Sequence, residues 1–359
     1  MMKVVNTAVI GFGLAGSVFH APIISSTEGF HLKAIYTADS KRQAKAQTAY
    51  PGTSVTSDLK EILQDDEIRL VVVAAHNAYH YSLAEEAILA GKNVVVDKPF
   101  TIDSRDADRL IELAQEKNAV LSVFQNRRWD GDFLTVKKIV ESGMLGSLVE
   151  FESRWDRFQN SPKGNWREEA APGSGQWYDL GSHMVDQAVA LFGLPTAVTA
   201  DLRIQRKCAE TIDNFEVILH YEKLKVTLKV GMLVKIPTPR FTLLGENGSF
   251  VKYGLDVQED DLSAGFTPLN KQDWDREPEE RYGRISTVVN GVSIDGTVKS
   301  ETGDYREYYR NVRRAITEGA ELIVTPQQAA NTIKIIEQAI RSNEEKRTIK
   351  LEGLYGTGK

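Results

Sequence analysis

Cysteine is nearly absent from this chain. Cys208 is the only one in 359 residues, which excludes an intrachain disulfide and leaves no thiolate cluster for a metal. A lone thiol fits a reducing compartment. No apolar run approaches the length needed to cross a bilayer. The first residues, Met1-Met2-Lys3-Val4-Val5-Asn6, pass into a strand without the apolar stretch and small-residue cleavage site of a secretory signal, so the expectation is a soluble cytoplasmic protein. Positive charge is not in excess either. The net charge is −6 and the Lys and Arg residues are scattered, which argues against a nucleic-acid partner and against an anionic membrane surface. Internal repeats and low-complexity tracts are missing. What is present is a 42% hydrophobic chain, long enough for two domains with separate cores and suited to a small-molecule partner.

The first informative stretch is an apolar strand, Val4 to Ile10, followed at once by Gly11-Phe12-Gly13-Leu14-Ala15-Gly16. In that strand-to-helix setting the three glycines do different things. Gly11 permits the tight turn, Gly13 lets the backbone approach a pyrophosphate, and Gly16 lets the helix pack on the strand. The helix N-terminus then offers its amides to the anion. A second strand, Leu32 to Tyr36, ends in Thr37-Ala38-Asp39-Ser40-Lys41-Arg42, where a dinucleotide-binding fold meets the adenosine ribose. Thr37 at the strand end, with Ser40, Lys41 and Arg42 behind it, favours NADP; the carboxylate of Asp39 is the feature that would favour NAD.

Strands expected at Leu70 to Ala75, Asn93 to Val96 and Val120 to Phe124 alternate with helices at about 79–90 and 104–117. This alternation specifies an α/β, doubly wound parallel sheet with its ligand over the strand carboxyl ends. Those ends carry Gly11, Thr37, His76-Asn77, Asp97-Lys98 and Gln125-Asn126. The candidate cofactor-binding set is Gly11, Phe12, Gly13, Leu14, Ala15, Gly16, Thr37, Ser40, Arg42, His76, Asn77, His80, Asp97, Lys98 and Asn126. Val94-Val95-Val96-Asp97-Lys98-Pro99 is the most pointed of them: a buried β-branched strand that ends on a charge pair delivers one lysine to a cleft. Beyond Asn126 the pattern changes to consecutive strands at about 148–155, 198–206, 214–221, 224–232, 240–246 and 249–253. They imply an α+β domain with a large, mostly antiparallel open sheet. Residues 254–300 read as loops with isolated short strands. Thr325-Pro326-Gln327-Gln328 opens a helix to about 343 with a capping box, and that helix is expected to pack near the first domain. The domains are therefore drawn at 1–125 and 126–359.

A second constellation, Tyr178-Asp179-Leu180-Gly181-Ser182-His183, precedes the apolar pattern of a helix that ends at Gly193. On one helix Asp179 and His183 share a face, and the carboxylate fixes the imidazole tautomer; Asp186 extends that face. The competing reading makes Asp179 an N-cap and His183 a satisfied half-buried histidine. Joined to a nicotinamide site, the pair suits proton removal from a carbinol whose carbon gives up a hydride, with Lys98 stabilising the substrate oxygen. No metal is needed. Arg127, Arg154, Trp155 and Trp166 are candidates for reading the substrate.

On these motifs the chain resembles the glucose-fructose oxidoreductase, inositol dehydrogenase and rhizopine-catabolism family over essentially its full length. Within it the chain most resembles the NADP-dependent scyllo-inositol dehydrogenases, through Gly16-Ser17-Val18-Phe19-His20, Asn126-Arg127-Arg128-Trp129-Asp130 and Asp179-Leu180-Gly181-Ser182-His183. The resemblance implies Lys98, Asp179 and His183 as the catalytic set, with Asn77 and Asp97 near the nicotinamide ribose and a cis peptide before Pro99. It also implies a homodimer or homotetramer built through the C-terminal sheet. Two departures stand out. Asp97 is one methylene shorter than the usual Glu, and His76 replaces a common Pro. The alternatives are the same chemistry on another sugar, a dihydrodiol or a carbonyl compound, and a non-catalytic dinucleotide sensor.

Overall fold

Runs of β-branched residues build the first sheet of the computed structural model, which describes residues 3–164, 166–274 and 276–355. Its strands are β1 (Val5–Ile10), β2 (Phe30–Tyr36), β3 (Ser54–Thr56), β4 (Leu70–Val73), β5 (Asn93–Val96) and β6 (Leu121–Val123). They lie in the order β3-β2-β1-β4-β5-β6 and every pairing is parallel. The order reverses between β1 and β4, which places a ligand crevice at the carboxyl ends. All four residues of β4 are sealed from solvent, as a strand covered on both faces requires.

The described chain divides into two units. The first is Met1–Trp129, Val257–Trp274 and Asp304–Ala330; the second is Asp130–Asp256, Asp275–Gly303 and Asn331–Lys359. Tyr305, Tyr308, Tyr309 and Val312 complete the core of the first unit, although they lie far from its sheet in sequence.

The second unit carries nine strands: β7 (Leu148–Arg154), β8 (Ala197–Arg203), β9 (Asn214–His220), β10 (Lys225–Gly231), β11 (Phe241–Gly245), β12 (Gly248–Lys252), β13 (Gly283–Val289), β14 (Val292–Val298) and β15 (Ile349–Lys350). Their order is β14-β13-β12-β11-β7-β10-β9-β8-β15, with β7 and β10 parallel and the other pairings antiparallel. Residues 254–300 differ from the expectation of loops with isolated strands. They hold the helix Gln258–Ser263 and a full hairpin, β13 to β14, turned by Asn290 and Gly291 at φ 51° and 79°. Positive φ at both turn residues matches the twist of paired strands. The sequence does carry a mark of this hairpin, Asn290-Gly291 between Val288-Val289 and the alternating Val292-Ser293-Ile294-Asp295, which the expectation of isolated strands passes over; in the fold six of the seven residues of β14 are exposed. At the last helix, Pro326–Glu345, the Gln328 backbone N–H donates to Thr325 Oγ1 at 3.2 Å and the Thr325 N–H donates to Gln328 Oε1 at 3.3 Å. The capping box forms as read. This helix starts in the first unit and ends in the second.

Candidate active site

Steric limits explain the glycine loop. Gly11 has φ +100°, and a Cβ there would sit 2.5 Å from Ala74 O; at Gly16 it would sit 2.0 Å from Gly11 O. At Gly13 the nearest atom is Arg42 Nη1 at 3.8 Å. Packing therefore dictates the first and third glycines. The second keeps open the space in which a pyrophosphate would approach the backbone, and the loop fits a dinucleotide. Leu14 is 56% exposed at the loop, while Phe12 is buried beneath it against Tyr50. The chain after the loop is not a regular α-helix at first. Ala15–His20 forms a wide turn in which the Ala21 N–H reaches Gly16 O, five residues back, and this turn drives His20 into the core.

At the end of β2, Thr37 is buried and its carbonyl accepts from Gln43 Nε2 at 2.8 Å. Asp39 is the N-cap of the helix Ser40–Ala49, accepting from the Arg42 N–H at 2.9 Å. That backbone hydrogen bond holds the Asp39 carboxyl below its usual range. Its carboxylate is thus engaged in capping, while Ser40 and Arg42 remain exposed and the Arg42 guanidinium extends to the glycine loop.

Asp97, Lys98 and Pro99 follow β5, and the Lys98–Pro99 peptide is cis, as the resemblance implied. Asp97 Oδ1 accepts the Lys98 N–H at 2.9 Å. Burial would raise the Asp97 carboxyl, but His20, Lys98 and His80 outweigh it and hold the group below its usual range. His80 is buried behind the turn, with Nδ1 2.8 Å from Pro99 O and Nε2 3.2 Å from Ala75 O. Burial lowers its pKa, and Asp97 and the two carbonyls partly oppose that. His76 caps the short turn that follows it. Its φ of −64° is a proline value, and its Nδ1 accepts the Ala78 N–H at 3.2 Å at the head of the short turn Asn77–Tyr79, with Asn77 buried.

Asp179 and His183 do not lie on one continuous helix. Asp179 ends the short helix Gln176–Asp179, and the helix Gly181–Phe192 begins after Leu180. The break is packed around Trp177: a Cβ at Gly181 would meet the Trp177 ring at 2.4 Å, and the indole N–H donates to Ile336 O at 3.1 Å. Asp179 is not the N-cap of the longer helix, whose cap position is Leu180. It pairs instead with Arg167, Nε to Oδ1 at 3.5 Å, and the Arg167 guanidinium lies 4.5 Å from the Trp166 ring. His183 and Asp186 are buried on the same helix, and the His183 ring lies 6.1 Å from that of Trp155 at an interplanar angle of 31°.

The substrate candidates divide. Trp155 follows the inward alternation of β7, Phe151 and Ser153, and sits on the His183 side. Arg154 points to the opposite face, bound to Glu152 at 2.7 Å and Asp156 at 3.4 Å. Arg127 belongs to the first unit, where it donates to Tyr305 Oη at 3.0 Å and pairs with Glu259; Asn126 is buried next to it. Three residues were not singled out by pattern. Arg167 stood beside the candidate Trp166 with no role of its own. His20 stood in a family motif without a role, and Arg240 had no local signal at all. Arg240 is buried and stacks on Trp155 at 4.9 Å and on Phe241 at 4.1 Å.

The NAD-binding Rossmann model of the Gfo/Idh/MocA oxidoreductase family matches residues 5–125, and the model of its C-terminal alpha/beta domain matches residues 137–351. The chain is 39% identical to the scyllo-inositol 2-dehydrogenase (NADP(+)) IolW of Bacillus subtilis across 97% of this chain and 96% of that one. It is 40% identical to the uncharacterized oxidoreductase YdgJ of Escherichia coli across 96% and 98%. The solved structure of Bacillus subtilis YvaA in a triclinic form aligns with TM-score 0.93 at 39% identity, covering 98% of this chain and 99% of that one.

Proposed function

The chain belongs to the Gfo/Idh/MocA oxidoreductase family, and on that premise we propose that it is an NADP-dependent dehydrogenase of a ring polyol, oxidising scyllo-inositol to 2-keto-inositol. The observation that carries the reading is the joint presence of a glycine loop that fits a dinucleotide, a lysine after β5, and the Asp179/His183 pair. When bound, the nicotinamide supplies hydride exchange with the carbinol carbon. The chain supplies the rest. His183 takes the hydroxyl proton, Asp179, itself held by Arg167, contributes negative charge that favours the imidazole cation, and Lys98 hydrogen-bonds the reacting oxygen as charge develops there. A nucleotide sensor has no use for a proton acceptor, which weighs against the non-catalytic reading.

NADP is favoured over NAD because Asp39 spends its carboxylate on the helix cap while Arg42 stays open beside the loop to meet a 2′-phosphate. The same reading places a homodimer or homotetramer contact on the open face of the nine-stranded sheet. Glu152, Arg154 and Lys229 with exposed Leu244 supply a mixed surface there. A monomer by light scattering would remove that part.

The direct test is to follow reduced-nicotinamide absorbance with NADP or NAD and scyllo-inositol, myo-inositol, aldoses and a dihydrodiol. Turnover with a ring polyol supports the assignment, and no turnover with any of them refutes it. Lys98→Ala should bind cofactor normally and lose about 10²- to 10³-fold in kcat, the size of one removed oxyanion donor. Unchanged kcat would mean the lysine is wrongly assigned.

A further inference from the structure

His20 has no role in the chemistry above, yet it is buried completely at the point where three elements of the first unit meet. Its Nδ1 lies 2.6 Å from Tyr309 Oη, its Nε2 lies 3.6 Å from Asp97 Oδ1, an electrostatic contact longer than a hydrogen bond, and its ring is tilted at 45° to that of Phe124 with the centroids 4.3 Å apart. Tyr309 is also fully buried, which pushes its phenol well above the ordinary range and keeps it a neutral hydroxyl. A hydroxyl donating to Nδ1 leaves the imidazole proton on Nε2, facing the carboxylate. The opposite tautomer would set a lone pair against a buried anion. The same Asp97 oxygen accepts the Lys98 N–H.

We propose that His20 is a positioning residue for Lys98: it anchors the Asp97 carboxylate, and through it the Asp97–Lys98 turn, to the segment that follows the glycine loop. Asp97 is then an internal anchor of the turn rather than a ligand of the nicotinamide ribose. The link runs from Gly16 through the wide turn to His20, across to Asp97, and one residue on to the lysine. It rests on the reading that Lys98 acts at the reacting oxygen, and it adds a selectivity the reading lacks. Loss of His20 should impair the step at the substrate oxygen while leaving the glycine loop able to hold the cofactor.

Four variants test it: His20→Leu, His20→Gln, Asp97→Asn and the His20→Leu/Asp97→Asn double. His20→Leu removes the donor and is expected to lower kcat about tenfold or more with KM for NADP within about threefold. His20→Gln places an amide donor near the former Nε2 and should recover most of kcat, and Asp97→Asn added to His20→Leu should recover part of it because no carboxylate is then stranded. Reductive methylation of the Lys98 amine, followed by peptide mass spectrometry, gives a readout that needs no turnover. Its rate should change in His20→Leu and return in His20→Gln. Equal loss in the Leu and Gln variants, strict additivity with Asp97→Asn, or a Lys98 labelling rate indifferent to His20 overturns the proposal. Failure of the wild type with every polyol while labelling still tracks His20 would instead sink the functional reading and leave the anchor standing.

Discussion

Arg240→Met probes the second unit at its most exposed logical point, the support behind His183. Arg240 is 3% exposed and Asp132 1%. The guanidinium donates to Ser153 Oγ at 2.5 Å, Gln187 Oε1 at 3.1 Å and Arg154 O at 3.2 Å, and its Nε lies 3.6 Å from Asp132 Oδ2. Deleting the cation strands a buried carboxylate, a change that costs about 3–5 kcal/mol. Loss of the stacking on Trp155 adds about 1–2 kcal/mol, since the pair is desolvated. Taking only the carboxylate cost, a unit of this size should melt roughly 6–20 °C lower, at about 2–4 °C per kcal/mol. The assay is calorimetry on the wild type, Arg240→Met, Asp132→Asn and the double variant. Asp132→Asn should rescue much of the loss, because an amide is far cheaper to bury than an unpaired charge. A shift under about 2 °C for Arg240→Met, or additivity of the two changes, refutes the reasoning.

Gly13→Ala and Gly16→Ala should part company. The first has open space and should fold with weakened dinucleotide binding, whereas the second drives a methyl against Gly11 O and should lose the loop altogether, read by circular dichroism beside cofactor titration. Arg42→Ala should raise KM for NADP about tenfold or more while sparing NAD, the scale of one charge-assisted hydrogen bond; equal effects on both would refute the 2′-phosphate assignment. His80, lowered from 6.5 in the folded state, gives stability that is present above that pH and lost as pH falls through the folded pKa. Denaturation midpoints should therefore drop below about pH 6.5, and His80→Gln should flatten that slope.

Much of this was legible in the residues. The glycine loop, the β5 tip and the consecutive C-terminal strands follow from local periodicity and turn chemistry, which act over a few residues. Asp39 was the ambiguous residue at the end of β2, and its use as a helix cap, accepting the Arg42 N–H, is visible only in the fold. Arg154 and Trp155, adjacent and both suited to a sugar, could be sorted only once β7 had a buried and a charged face. Arg240 and Tyr309 lie 85 and 289 residues from the groups they support, Trp155 and His20. No window along the chain connects residues at that distance. The break at Leu180 between Asp179 and His183 goes with a local contact, Trp177 packed on Gly181 four residues on, and the i,i+4 spacing of Asp179 and His183 does not reveal it.

The interleaving of the two units sets an order of assembly. The six-stranded sheet is complete by residue 123, but the core beneath it includes Leu262, Tyr305, Tyr308, Tyr309, Val312 and Val324. A chain leaving the ribosome therefore finishes this sheet and the helices between its strands early, and must hold part of its core open while β7 to β14 are made. A fragment cut after Trp129 would carry every glycine-loop residue and still expose Phe124 and Trp129, the rings that Tyr308 covers at 5.0 and 5.7 Å. The piece that resembles a free-standing nucleotide domain is, in folding terms, the half of the molecule that waits longest for its own interior.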